Sequence, residues 1–336
     1  MIELNESTVR NLFFQRISNN GKIDLSNNCF YKTQDEDEDK ILKKIFLKPF
    51  QVSSSTFEFK HDIDLELNPL FVLSKSIYEE SDFVDTSKNI YQHLKSVSKH
   101  PNIKDGDLFI VQYSDVKMDN TYYDALGIYK VENKDSFIEI STGKLTFKNG
   151  IGTRKLDKAC LILFTKAPFT IFIIDNATSE TDYWRNEFIK ADYKNDNVNS
   201  TNNFLTLTKN FVTQCLPEGL EMSKADQIAI LNNSIKFFKE KSDFNLKDFA
   251  IEVIEDPSLI EKFHKYKDDF ERNSDFKFVD SFPISSDAVK KQTRALKSVI
   301  KLDKNFDIYI HGDHDLIEQG EDKKGKYYKV YYKEES

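Results

Sequence analysis

Two short stretches of this chain gather side chains able to bind a metal ion or exchange protons. His311-Gly312-Asp313-His314-Asp315 carries two imidazoles and two carboxylates, with His311, Asp313 and His314 the candidate metal ligands. The segment also has the composition of a polar turn closing a hairpin and no helical or outer-sphere context, so it is read as a turn without metal. His61-Asp62-Ile63-Asp64 resembles an acid/base pair. It lies in the alternating run FEFKHDIDLEL, whose exposed strand face would carry such charges in any case.

Cations give a third kind of chemistry. Between Ser281 and Lys304, Lys290, Lys291, Arg294, Lys297, Lys301 and Lys304 are opposed only by Asp287 and Asp303, in a chain whose net charge is −8. A local reversal of sign of this kind suits a surface that meets a polyanion. Lys290, Arg294, Lys297 and Lys301 recur at intervals of four, three and four, which one continuous helix would gather on one face. Alternatively, the run Ser298-Val299-Ile300 ends the helix and divides the cluster between helix and strand. A solvated helix face has the same pattern. Further on, KKGKYYKVYYK places Lys323, Lys324 and Lys326 beside Tyr327, Tyr328, Tyr331 and Tyr332. Exposed tyrosines there could stack on bases, but a last strand with one aromatic face against the core explains the pattern more simply.

No phosphate-loop, dinucleotide, zinc-protease or nucleophile-elbow motif occurs, and Gly150-Ile151-Gly152 reads as a turn. His93 and His264 lie on expected helices with no nucleophile context. Cys29, Cys160 and Cys215 form neither a disulfide framework nor a CxxC site. The chain therefore reads as non-enzymatic and without a cofactor. It shows no evident signal peptide and no run near the roughly 18 apolar residues a spanning helix needs, which points to a reducing cytoplasm and no membrane.

The elements that must position these residues are mixed. At 336 residues, two domains are expected. Strands are expected at 11–18 and 22–25 around the turn Asn19-Asn20-Gly21, and helices at 41–46 after the acidic run 35–39, at 67–78 with Asn68 as cap, and at 85–97. Strand-like runs DGDLFIVQYSDV, YDALGIYKVE, SFIEIST, ACLILFT and FTIFIIDN follow with short links, which favours antiparallel pairing. This gives an α+β domain over 1–177, a helical layer over 178–274 and a small β region over 275–336, the last two forming a C-terminal domain. The Asn-rich span 195–203 reads as a loop, Ser223 and Asp226 as a capping box, and Asp256-Pro257 as a helix start.

Taken together, FKHDIDLELNPLFVLSKSIYE, HPNIKDGDLFIVQY, DALGIYKVENKDSFIEI, GTRKLDKACLI, DYWRNEFIKADYKNDNVNSTNNFLTLTKNFV, SKADQIAILNNSIKFFKE and the basic C-terminal stretch resemble the bacterial nucleoid-associated family NdpA (YejK-like), closest to its Bacteroidetes-type form. The resemblance implies a cytoplasmic protein on the bacterial chromosome, with no enzymatic activity established for the family and no active-site residues to transfer. Two functions are compatible with it. One is direct, sequence-tolerant DNA contact in chromosome organisation through Lys290, Lys291, Arg294, Lys297, Lys301, Lys304, Lys323, Lys324 and Lys326. The other is an adaptor that reaches the nucleoid by binding a DNA-processing protein. A homodimer is expected from family texture and the frequency of twofold oligomers.

Overall fold

The computed structural model describes residues 2–18, 30–52, 55–153, 156–176, 183–215, 224–273, 276–295, 299–302, 306–309, 316–323, 325–332 and 334. They fall into two compact units, Met1–Lys194 and Asn195–Ser336.

In chain order the first unit contains β1 (Ile2–Glu3), β2 (Thr8–Ile17), β3 (Phe30–Tyr31), α1 (Glu36–Leu42), β4 (Phe57–Phe59), α2 (Pro69–Tyr78) and α3 (Phe83–Val97). Then come β5 (Gly106–Met118), β6 (Thr121–Val131), β7 (Asp135–Ser141), β8 (Lys144–Gly150), β9 (Lys158–Leu163), β10 (Thr170–Asp175) and β11 (Ala191–Tyr193). Among the described residues, nine strands make one sheet in the order β11-β4-β10-β9-β6-β5-β2-β3, with β1 paired to β5. Its pairings are antiparallel, as the short links require. The β5–β6 link is a tight turn in which Asp119 and Asn120 take φ of 49° and 63°, a conformation these two residue types tolerate.

Helices and turns cover both faces, so the central strands are apolar on both. Leu108, Ile110, Leu126, Ile128, Cys160 and Ile162 face α2 and α3 in one core layer. Val111, Ala125, Tyr129, Ala159 and Leu161 pack on Phe46, Leu47 and Phe50 in the other. The two sets alternate along each strand, as pleating requires.

Local chemistry explains the helix starts. Asp35 accepts from the backbone N–H of Asp37 and Glu38, and the acidic first turn of α1 complements the helix dipole. The α-helix stops at Leu42 and continues as a π-type turn over Lys43–Leu47 and a 3-10 turn over Lys48–Val52. Asn68 caps α2 with Pro69 in its first turn, as the sequence suggested. The strand expected over FEFKHDIDLEL is confined to Phe57–Phe59. Beyond it, His61 Nδ1 accepts from Ile63 and Asp64 N–H, and Asp64 caps the 3-10 turn Leu65–Leu67. Local side-chain bonds of this kind compete with a ladder. The segment expected to open the helical half contributes Trp184, Phe188 and Ile189 to the first unit's core.

The second unit contains α4 (Asn197–Asn210), α5 (Lys224–Glu240), β12 (Asp243–Asn245), α6 (Leu246–Phe249), α7 (Pro257–Arg272), β13 (Ser281–Pro283) and α8 (Ser286–Ala295). Its β region follows as β14 (Val299–Leu302), β15 (Phe306–Tyr309), β16 (Ile317–Asp322) and β17 (Gly325–Val330). An aromatic cluster holds the helical layer together. Phe204 lies 4.3 Å from Phe244 and 4.6 Å from Phe278, and Phe249 lies 5.9 Å from Phe263. The Asn-rich span read as a loop is instead the start of α4. Asp196 caps it by accepting from Asn199 N–H, and Phe204, Leu205 and Leu207 bury its apolar side, so packing overrides weak helix propensity. Asp256 caps α7 with Pro257 next, as expected.

Antiparallel pairs β12–β13, β14–β15 and β16–β17 complete the unit, each a two-stranded sheet. The expected strand 22–25, its turn at 19–21 and the Ser223 cap lie outside the described residues.

Candidate functional site

Among the expected cationic residues, Lys290, Lys291 and Arg294 fall on α8, and the helix is firmly anchored. Ahead of it, Phe282 on β13 stacks on Phe244 at 4.8 Å. Thr201 Oγ1 accepts from Ser285 N–H at 3.0 Å, and Gln292 Nε2 donates to Asn202 Oδ1 at 3.3 Å. Ala288 and Val289 are buried. The polar start of α4 thus holds α8 in place, a job its Asn and Thr residues do not advertise in the sequence. With 288 and 289 facing inward, positions 287, 290, 291 and 294 share another face by helical spacing. Lys290 on it is exposed and 3.9 Å from Asp287, a long, solvated i,i+3 pair that offsets little of its charge. Lys291 is half-buried.

The helix ends at Ala295, so the arrangement that splits the cluster is the one observed. Lys301 lies on β14, where the register sets it opposite Asp307. Lys297, Lys304 and Lys324 lie outside the described residues, as do His311, Asp313 and His314. Lys323 and Lys326 are exposed on the β16–β17 hairpin. Its register places Lys326 opposite Glu321 and Lys329 opposite Glu318. Helix α5 packs on both α8 and β16.

The expectation that the terminal tyrosines pack in a core is not met. Among the described residues β17 pairs only with β16, and while Tyr328 is half-buried, Tyr327, Tyr331 and Tyr332 are 46%, 40% and 70% exposed. A two-stranded ribbon has too few layers to cover them. The Tyr327 ring instead lies over Gly320, where an added Cβ would sit 2.4 Å from it. Lys329 Nζ sits 4.7 Å from the Tyr331 ring centroid. The exposed aromatic and cationic groups of this hairpin were visible in the sequence, but their exposure was not.

Lys130 and Lys158 are buried cross-strand neighbours on β6 and β9. Lys130 Nζ donates to Lys104 O, Glu132 Oε1 and Tyr183 OH at 2.6, 2.9 and 3.1 Å. Lys158 Nζ donates to Asp175 Oδ1 at 2.6 Å. The Tyr183 ring lies 5.6 and 5.0 Å from the two ammonium groups. Burial pulls the Lys130 pKa below the usual lysine range, with Glu132 opposing the shift. All three ammonium protons of Lys130 have acceptors, so this cluster is built for structure. A cleft of about 420 Å³ is lined by Ser18, Gln92, Lys95, Ser96, Ser98 and Lys99, with neither carboxylate nor histidine among the described residues of its wall. Among the described residues, no group of three or more His, Cys, Asp or Glu could hold a metal ion. No described helix is long and apolar enough to cross a membrane.

A search of the curated proteins found no match. The family model described as nucleoid-associated protein YejK matches residues 14–326, which takes in most of the sheet of the first unit, the helical layer and the basic C-terminal region. By that span the chain belongs to the nucleoid-associated protein YejK family.

Proposed function

We propose that the protein acts on the nucleoid by touching duplex DNA directly, through phosphates and without strong sequence preference, and that it does so without catalysis. The observation that carries this reading is α8. Its inner face is pinned to α4, and helical spacing gathers positions 290, 291 and 294, two lysines and an arginine, on another face. Such contacts position a protein and carry no base information. The β16–β17 hairpin adds exposed Lys323 and Lys326 beside tyrosine rings on which an unpaired base can stack. A homodimer would present each surface twice, which suits a chain whose net charge is −8 and whose cations must be concentrated locally.

The test is fluorescence anisotropy on a random-sequence duplex at low salt. Charge reversal of Lys290, Lys291 and Arg294 together should weaken binding at least about tenfold, and unchanged affinity would count against α8.

A second reading is favoured by the hairpin register, which sets Asp307, Glu321 and Glu318 across from Lys301, Lys326 and Lys329. With a net charge of −8 the protein can steer toward a basic partner, and the chain would then be an adaptor for a DNA-processing protein. Purified protein that ignores duplex DNA, yet retains a partner from nuclease-treated lysate, would select this reading.

A further inference from the structure

The connection between the sheet neighbours β6 and β9 leaves the sheet as a separate hairpin, β7–β8. Its root is clamped: Asp157 accepts from Glu132 N–H, Asn133 N–H and Asn133 Nδ2 at 2.7, 3.0 and 2.7 Å. Its tip is a two-residue turn in which Thr142 and Gly143 both take positive φ, 46° and 74°, the geometry that matches strand twist. The register sets Ile138 opposite Phe147 and Ile140 opposite Leu145, so these side chains share one face. They are 55%, 79%, 78% and 57% exposed in that order. Ser136 and Asn149 complete the same face, and it carries no charge. Asp135, Glu139, Lys144 and Lys148 point to the other side, where Lys148 pairs with Glu139.

A two-stranded ribbon is marginal alone in water, and a contiguous apolar face of this kind marks a contact surface. We infer that this arm is the dimer contact: its apolar face packs on the same face of a second copy of the chain. Self-packing buries no charge. With the twofold axis along the strands, Ile138 and Ile140 of each copy come to lie over Leu145 and Phe147 of the other, and Ser136 over Asn149. From the area large apolar side chains carry, the exposures leave roughly 500 Å² per copy, or roughly 1,000 Å² for the pair, the lower bound for a specific interface. A foreign partner finds no charge here by which to be chosen, whereas a second copy needs none.

Sedimentation velocity of the full chain from about 1 to about 100 μM reads the outcome. The wild type should dimerise. Ile140→Asp with Phe147→Asp should weaken the dimer at least about 100-fold without lowering the melting temperature. The charge swap Glu139→Lys with Lys148→Glu, on the opposite face, should leave it dimeric. A wild type that stays monomeric at about 100 μM, including one whose arm binds a different protein, overturns the inference, as does an apolar-face variant that dimerises normally. Hydrogen exchange of the wild type needs no variant: protection over 135–150 should fall on dilution, and concentration-independent exchange there also overturns it. The inference deepens the dimer part of the proposed function. Its failure is distinguishable from failure of DNA contact, which is read by salt dependence on duplex and not by mass.

Discussion

Asn68 carries more of the fold than its cap position announces. Its Oδ1 accepts from Leu70 and Phe71 N–H, while Nδ2 reaches the carbonyls of Lys60, Ile189 and Lys190 at 3.1, 3.2 and 3.1 Å, all in a buried site. Asn68→Asp keeps the cap but turns a donor into an anion facing three carbonyls. It should cost about 3 kcal/mol in denaturant unfolding, more than the roughly 1 kcal/mol of a lost cap. An unchanged midpoint would contradict that role. His93 makes a second prediction. Its Nε2 lies 2.9 Å from Phe188 O, and since a carbonyl only accepts, Nε2 carries the proton. Burial lowers the imidazole pKa, against the pull of that bond. The unfolded chain then binds a proton, near pH 6.5, that the folded chain resists, so stability is full above that pH and falls as pH drops below it. Unfolding followed by Trp184, the one tryptophan and buried in the same unit, should show a lower midpoint at about pH 5.5 than at about pH 7.5. His93→Leu should flatten the difference. From the sequence, Asn68 was legible as a cap because Pro69 follows it. Its carbonyl partners at 189 and 190 were not, because no local pattern reports a contact across so much chain.

At the scale of elements, β6 and β9 place two lysines side by side in the sheet, Lys130 opposite Lys158. Like charges opposite one another destabilise a sheet, and Glu132, Asp175 and the Tyr183 ring offset the repulsion. Lys130→Met alone would strand the Glu132 carboxylate, which is 4% exposed, and should cost about 3 kcal/mol. Adding Glu132→Gln should recover much of the loss, a non-additivity that a double-mutant cycle on thermal unfolding measures directly. Additive losses would mean the pair is not coupled. The strands themselves were readable from DALGIYKVE and ACLILFT as long apolar runs. That their lysines are interior was not, since lysine reads as surface until a buried partner is known. The same limit hid α4, whose Asn, Ser and Thr residues look like a loop but are buried against neighbours. It also hid the β7 and β17 faces: alternation reveals a strand's two sides, but not whether anything covers them.

Over the whole molecule, opposite needs are kept apart. The first unit is a thick sheet with cores on both faces, and the cationic side chains singled out by the sequence belong to the second. Composition announced the mixed α+β class and the acidic balance, and the order of strands and helices announced the antiparallel sheet and the helical layer. Family membership ties that architecture to the nucleoid. The physical question left is whether an anionic chain can hold a polyanion through one confined surface. The most direct answer is the salt dependence of wild-type binding to a random-sequence duplex between about 50 and about 200 mM monovalent salt. About four phosphates engaged by α8 and the terminal hairpin predict a slope near −4 in log affinity against log salt, a loss of roughly 200-fold over that range. A flat line, or no binding at the lowest salt, would contradict direct contact.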